Sequence, residues 1–207
     1  MSAVPPESGI DDRKQQIVEA AARILLAEGA HGLSLRRLAR EVGGSTQLVY
    51  TLFGGKAGLA DCLYAEGFRR LNEAMEAGLA AAPPPGDPER MIAVGRAYRQ
   101  FAREQPAMFS LMFGRAIPGF TPAQRTRHEG RSSTFGQVVA IAQECLDAGT
   151  MSGADAAEIA RVCWVVAHGL TSLESGGLLA AEDLEAFVDV ALRVPLDAYR
   201  SGAAAGR

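Results

Sequence analysis

Apolar side chains recur along most of the chain at intervals of three and four residues, which is the period of an amphipathic helix. In the first such stretch Ile17, Ala21 and Ile24 fall on one face, and Gly29 is expected to end the helix. The sequence contains no Asn-Gly or Asp-Gly turn and no stretch of alternating apolar and polar residues, so strands are not predicted. The pattern predicts an all-α fold of about nine helices.

Capping residues, glycines and prolines set the expected helix boundaries. Ser34 and Ser45 are suitable N-caps for the second and third helices, and Pro106 separates the fifth helix from the sixth. We expect the first helix at about 12–28, the third at about 46–52 and the fourth up to about 82. The seventh is expected from Thr121 to about 148 with an irregularity near Gly130, the eighth from Ser152, and the last at about 182–199, bent or shortened by Pro195.

The second and third helices, with the glycine pair between them, have the layout of a helix-turn-helix, whose second helix lies in the DNA major groove. The apolar residues Leu48, Val49 and Leu52 define the inner side of the third helix. Advancing 100° per residue then places four polar side chains on the outer face. These are Gln47 and Tyr50 at its centre, with Thr46 and Thr51 at its edges.

These polar side chains suit contacts with DNA. Glutamine pairs with an adenine edge, threonine bonds a base or touches a thymine methyl, and tyrosine donates to phosphate. Phosphate contacts suit Ser34 at a helix start, Lys56, and the arginines Arg36, Arg37 and Arg40. The same pattern also fits a capped helical hairpin inside an ordinary bundle, with a merely solvated polar face.

Charge is unevenly distributed along the 207 residues, whose net charge is −3. Residues 29–60 hold four basic side chains and one acidic side chain, while the chain from Leu71 onward holds 12 basic and 16 acidic ones. The hydrophobic share of 48% excludes a disordered or fibrous protein. A nucleic-acid partner is therefore indicated by local charge near the N-terminus, not by the whole chain.

The stretch from Arg13 to Leu59 closely resembles the DNA-binding domain of the TetR family of transcriptional regulators, above all in the segment LVYTLFGGKAGL at 48–59. The other matching positions are Ile17, Ala20, Ala21, Gly29, Leu38, Ala39, Gly43 and Ser45. The resemblance implies a homodimeric, ligand-responsive repressor of a palindromic operator in double-stranded DNA. It also implies base contacts at Thr46 and Gln47 and phosphate contacts at Tyr50, Thr51 and Lys56.

Two positions depart from the family pattern. Leu52 stands where many members have a polar phosphate contact, and Gly44 stands where they have a small apolar residue. Further along, the segment PAMFSLMFGRAIP at 106–118 and the residues Trp164, His168 and Gly169 resemble a Trp-His-Gly subgroup of TetR-like C-terminal domains. We therefore expect a DNA-binding domain at 11–55, an effector-binding and dimerisation domain at 56–200, and disordered ends at 1–10 and 201–207.

Large apolar side chains in the C-terminal part are suited to line a cavity for a small-molecule effector. The candidates are Met108, Phe109, Met112, Phe113, Phe135 and Trp164, with Arg115 or His168 as a polar anchor. The alternative is a packed core, where such side chains usually lie. The last two helices are expected to form the homodimer, because the eighth is apolar nearly all round.

Other classes of protein find little support in the sequence. The longest nearly unbroken apolar stretch, 162–170, is far shorter than the roughly 20 residues that span a bilayer. The N-terminus lacks the features of a secretory signal, so a cytoplasmic protein is expected. No motif of an enzyme, metal site or nucleotide cofactor is found. A helical protein that binds a small molecule but no DNA remains the alternative function.

Overall fold

The computed structural model describes residues 7–114, 117, 120–179 and 184–200, and these residues form nine α-helices. The helices are α1 (Glu7–Gly32), α2 (Leu35–Glu41), α3 (Thr46–Phe53), α4 (Lys56–Leu79), α5 (Glu89–Glu104), α6 (Pro106–Phe113), α7 (Gln124–Asp147), α8 (Ala156–Ser175) and α9 (Leu184–Tyr199). The prediction of an all-α fold is confirmed. The described part of the chain has one β-bridge, between Met151 and Arg200, and no strand.

The described residues fall into two compact units. The first unit lies within 1–67 and 105–128, and the second within 68–104 and 129–207. Each unit has its own apolar core. The largest fully buried side chains of the first include Ile17, Leu25, Leu38, Leu59 and Met108, and those of the second include Leu71, Met75, Ile92 and Phe101.

The first helix is longer than its sequence pattern predicts. It begins at Glu7 instead of Asp12, so part of the segment predicted to be disordered is helical. Extending an existing helix fixes only one further residue for each new hydrogen bond, which makes an added turn inexpensive. The predicted stop at Gly29 is confirmed, because this glycine interrupts the helix with φ 70° and ψ −172°.

The predicted irregularity near Gly130 is wrong, since α7 is continuous from Gln124 to Asp147. A Cβ atom at Gly130 would lie 2.6 Å from the ring of Phe68 in α4, so this glycine serves a close helix contact. The start of α7 also differs from the prediction at Thr121. Asp61 of α4 accepts hydrogen bonds from the backbone N–H of Ala123 and the hydroxyl of Thr126, at 2.7 and 2.6 Å.

The eighth helix starts later than predicted. Asp155, not Ser152, is its N-cap, and the carboxylate accepts a hydrogen bond of 2.8 Å from the backbone N–H of Glu158. A carboxylate at this position both satisfies a free N–H and interacts favourably with the helix dipole. The last helix extends to Tyr199 with Pro195 inside it, so the proline does not shorten it.

Candidate functional site

The helix-turn-helix is held by the two serine caps that the sequence predicts. Ser34 Oγ accepts a hydrogen bond from the backbone N–H of Arg37 at 3.2 Å, and Ser45 Oγ accepts one from the backbone N–H of Leu48 at 3.1 Å. Gly43 lies between the helices with φ 62°, in the left-handed region that glycine adopts most easily. Local sequence thus determines where α2 ends and α3 begins.

The predicted orientation of α3 is confirmed. Val49 is fully buried and Phe53 is 8% exposed, whereas Leu48 and Leu52 are half-buried. Tyr50 is 54% exposed although it is a large aromatic side chain. The polar outer face of α3 is solvent-exposed at every predicted position, namely Thr46, Gln47, Tyr50 and Thr51.

One of these side chains is already engaged within the helix. The Thr51 hydroxyl donates a hydrogen bond of 2.9 Å to the carbonyl of Gln47. Its oxygen keeps free lone pairs, but donation to a phosphate requires the hydroxyl to leave this carbonyl. Gln47 and Tyr50 are therefore the better placed donors on this face.

Basic side chains surround the helix-turn-helix. Some are exposed to solvent, and one is held in an ion pair within the protein. Arg36 and Arg40 on α2 and Lys56 at the start of α4 are exposed. Arg37 instead forms a two-pronged ion pair with Glu28, and the hydrogen bond from Arg37 lowers the pKa of that carboxyl. Of the predicted basic side chains, Arg37 is thus committed to holding α1 against α2.

Arg13 has a positioning role that sequence reasoning missed. Its guanidinium donates a hydrogen bond of 2.7 Å to the carbonyl of Val42, the residue that ends α2. This bond satisfies a carbonyl that the helix leaves without a partner. It links α1 to the turn before α3. The resemblance includes Arg13, but no spacing rule identifies its target.

The residues predicted to line an effector cavity are distributed over both units. Met108, Phe109 and Met112 of α6 are buried in the first unit, where the ring of Phe109 lies 4.9 Å from that of Phe113. Phe135, Trp164 and His168 belong to the second unit, where the rings of Phe135 and Trp164 are 6.1 Å apart. Arg115 lies outside the described residues.

The second unit contains a small, partly open cavity of about 30 Å³ between α4, α5, α7, α8 and α9. Its apolar lining includes Met75, Met91, Val94, Val138, Trp164 and Leu192. Only Trp164 among these was predicted. The others come from helices far apart in sequence, so no local pattern marks them.

An apolar strip is exposed on the last two helices. Val165 on α8 and Phe187, Val190 and Val194 on α9 are each 51–61% exposed. On α8 the exposed Val165 and the fully buried Ile159 show that apolar side chains lie on more than one side of the helix. Such a surface is typical of an interface with another chain. No helix in the described part of the chain has the length and apolar character that crossing a bilayer requires.

Comparisons with known proteins agree with this architecture. Residues 17–63 match the family model "Bacterial regulatory proteins, tetR family", and residues 91–194 match "Tetracyclin repressor-like, C-terminal domain". The narrower Trp-His-Gly subgroup stays a prediction. The HTH-type transcriptional regulator Rv1816 of Mycobacterium tuberculosis is 32% identical over 120 residues, which cover 56% of this chain and 51% of that protein. The chain thus spans about half the length of this curated relative.

Solved structures show the same fold over most of the chain. A protein of unknown function from Rhodococcus sp. RHA1 is 30% identical, with a TM-score of 0.78 and coverage of 91% of this chain and 95% of that one. The TetR family transcriptional regulator PfmR from Thermus thermophilus is 23% identical with a TM-score of 0.58, covering 86% of this chain and 97% of that one. The chain therefore belongs to the TetR family of DNA-binding transcriptional regulators.

Proposed function

We propose that the protein is a repressor that binds a palindromic operator as a homodimer and responds to a small-molecule effector. The observation that carries the proposal is the exposed polar face of α3, on a helix whose start is fixed by the Ser45 cap. Residues 11–55 form the DNA-binding domain in this proposal, and residues 56–200 bind the effector and the second subunit.

The residues of this face divide into two roles. Thr46 and Gln47, at the N-terminal end of α3, read base edges in the major groove. Tyr50, Thr51 and Lys56 hold phosphates, and Ser34 with Arg36 supports them from α2. All of these residues are exposed. Leu52 is half-buried and supplies no polar contact, so binding relies on the others.

Dimerisation is supported by the exposed apolar strip on α8 and α9. An operator with two half-sites about 34–36 Å apart needs two reading helices at that spacing, which one chain alone does not supply. Pairing the strip with its copy buries Phe187, Val190 and Val194. A ligand that stabilises a different spacing of the reading helices weakens DNA binding, and couplings of about 1–3 kcal/mol are typical.

The experiment that tests this proposal is selection of bound duplexes from a random DNA pool. The wild type is compared with a Gln47→Ala, Tyr50→Ala double variant, whose changes lie on the exposed face and leave the buried side of α3 intact. We expect a palindromic consensus from the wild type only. If the variant enriches the same consensus, α3 is not the reading helix. If neither protein enriches any duplex, the DNA-binding role is contradicted.

A further inference from the structure

The cavity of the second unit has walls whose chemistry defines the kind of molecule it accepts. Met75, Met91, Val94, Val138 and Leu192 contribute apolar surface. None of the described residues that line it carries a charge at neutral pH. The thiol of Cys163 also lines the cavity, and burial raises its pKa to about 11, which keeps it protonated.

The two hydroxyl groups in the lining already have partners inside the protein. Thr134 donates a hydrogen bond of 2.8 Å to the side-chain carbonyl of Asn72. The Tyr98 hydroxyl lies 2.7 Å from Nδ1 of His168 and also bonds to Trp164. Because an indole N–H only donates, the Tyr98 oxygen accepts from Trp164, and the direction of its bond with His168 follows the tautomer of that ring.

Arg99, a buried cation in the described part of this unit, is also paired. Arg99 donates to the carboxylates of both Glu174 and Glu185, with three bonds of 2.8–2.9 Å. Among the described residues of the lining, an anionic ligand would find no positive charge and a cationic ligand would find no carboxylate. A buried charge without a partner is strongly disfavoured.

We propose that the effector is a compact, uncharged and largely apolar molecule, bound in this cavity against Trp164. This inference rests on the proposed function, because it identifies the ligand class of the effector site. Thioether side chains such as Met75 and Met91 adapt their shape readily, which suits a cavity that adjusts to its ligand.

Trp164 is the only tryptophan of the chain, so its fluorescence reports on this cavity alone. The test titrates the full-length protein with three compact probes of equal ring size, namely cyclohexanol, cyclohexanecarboxylate and cyclohexylammonium. We expect cyclohexanol to change the Trp164 emission saturably. The two charged probes should bind at least about tenfold more weakly, because neither finds a counter-charge in the lining. Equal or tighter binding of a charged probe would overturn the proposal.

A cavity-filling variant locates the binding site. Ala167 is buried on α8 and lines the cavity, so Ala167→Leu should weaken cyclohexanol binding by at least about tenfold. Ala140→Leu adds the same atoms to an exposed position on α7 and should leave binding unchanged. Unfolding curves verify that both variants fold, and unchanged binding by a folded Ala167→Leu variant would refute the site. If that variant does not fold, the probe comparison on the wild type decides.

Binding of the selected operator is measured in the same samples, which separates this inference from the proposed function. Cyclohexanol binding that shifts operator affinity supports both. A wild type that binds its operator but shows no saturable change with cyclohexanol overturns the ligand class and leaves the repressor role intact. A wild type that enriches no duplex removes the proposed function and with it the effector role, whatever the fluorescence shows.

Discussion

A Cβ atom at Gly58 would lie 1.7 Å from the carbonyl oxygen of Phe53, a distance at which no atom fits. Phe53 is the last residue of α3, and Gly58 is in the first turn of α4. Gly54 and Gly55 between them have φ values of 68° and 114°, so the chain turns sharply there. The turn from α3 into α4 therefore requires a residue without a side chain at position 58.

We predict that Gly58→Ala destabilises the protein by about 3 kcal/mol and weakens operator binding, because the backbone must move to admit the methyl group. Gly136→Ala is the matched control. This glycine lies in α7 with no atom near the added methyl group, so the change should stabilise by about 0.5–1 kcal/mol. Urea unfolding followed by circular dichroism measures both. Equal stability of the two variants would show that the turn adapts freely.

The role of Lys56 is tested through the salt dependence of DNA binding. Each phosphate contact contributes about 0.9 to the slope of log affinity against log salt concentration. We expect Lys56→Ala to lower the magnitude of the slope by about 1 and to weaken binding to all sequences similarly. The only other lysine, Lys14, lies in α1 and serves as the control, since Lys14→Ala should keep the wild-type slope. An unchanged slope in both variants would exclude Lys56 as a phosphate contact.

Dimerisation through the apolar strip is tested by a charge placed within it on α9. Val190 is 58% exposed in the single chain. Val190→Asp should raise the dimer dissociation constant at least about tenfold, because pairing would bury a carboxylate without a partner. Sedimentation analysis measures the change, and operator affinity should fall with it. Ala140→Asp at an exposed position of α7 is the control. A fully dimeric Val190→Asp variant would place the interface elsewhere.

Features set by neighbouring residues were predictable from the sequence. The face of α3 follows from the positions of Val49 and Tyr50 relative to a 100° step, and the structure has the same orientation. The Ser34 and Ser45 caps act on residues three positions away, within reach of a local pattern. Local rules therefore recovered the geometry of the proposed reading helix.

Features that depend on distant residues were missed. Gly130 looked like a helix breaker, but its missing side chain accommodates the ring of Phe68. The start of α7 depends on Asp61, which is 62 residues away from Ala123. The cavity likewise combines residues from five helices, and a Met or Trp in a helix has the same local pattern whether it lines a cavity or fills a core. Such pairings are decided by tertiary packing alone.

The buried guanidinium of Arg99 on α5 pairs with a carboxylate near the end of α8 and with another at the start of α9. Its side chain is 7% exposed and pairs with Glu174, near the end of α8, and with Glu185, at the start of α9. Removing it leaves two carboxylates close together without their main partner. We predict that Arg99→Met destabilises the protein by about 3 kcal/mol at pH 7, the usual scale for a broken buried ion pair, and that the loss comes from the Glu174 pair because Glu185 is 73% exposed. Arg161→Met on the exposed side of α8 is the control.

The pairing of Arg99 with Glu185 predicts how stability depends on pH. The hydrogen bond from Arg99 holds the pKa of Glu185 below its ordinary value of 4.5. A carboxyl with a lowered pKa in the folded protein contributes stability above pH 4.5, and that contribution is lost as the pH falls through the folded-state pKa. The stability difference between wild type and Arg99→Met should therefore shrink on acidification below pH 4.5. Unfolding free energies of both proteins measured at several pH values test this prediction. If the stability difference between wild type and Arg99→Met stays constant, Arg99 stabilises through packing instead of charge.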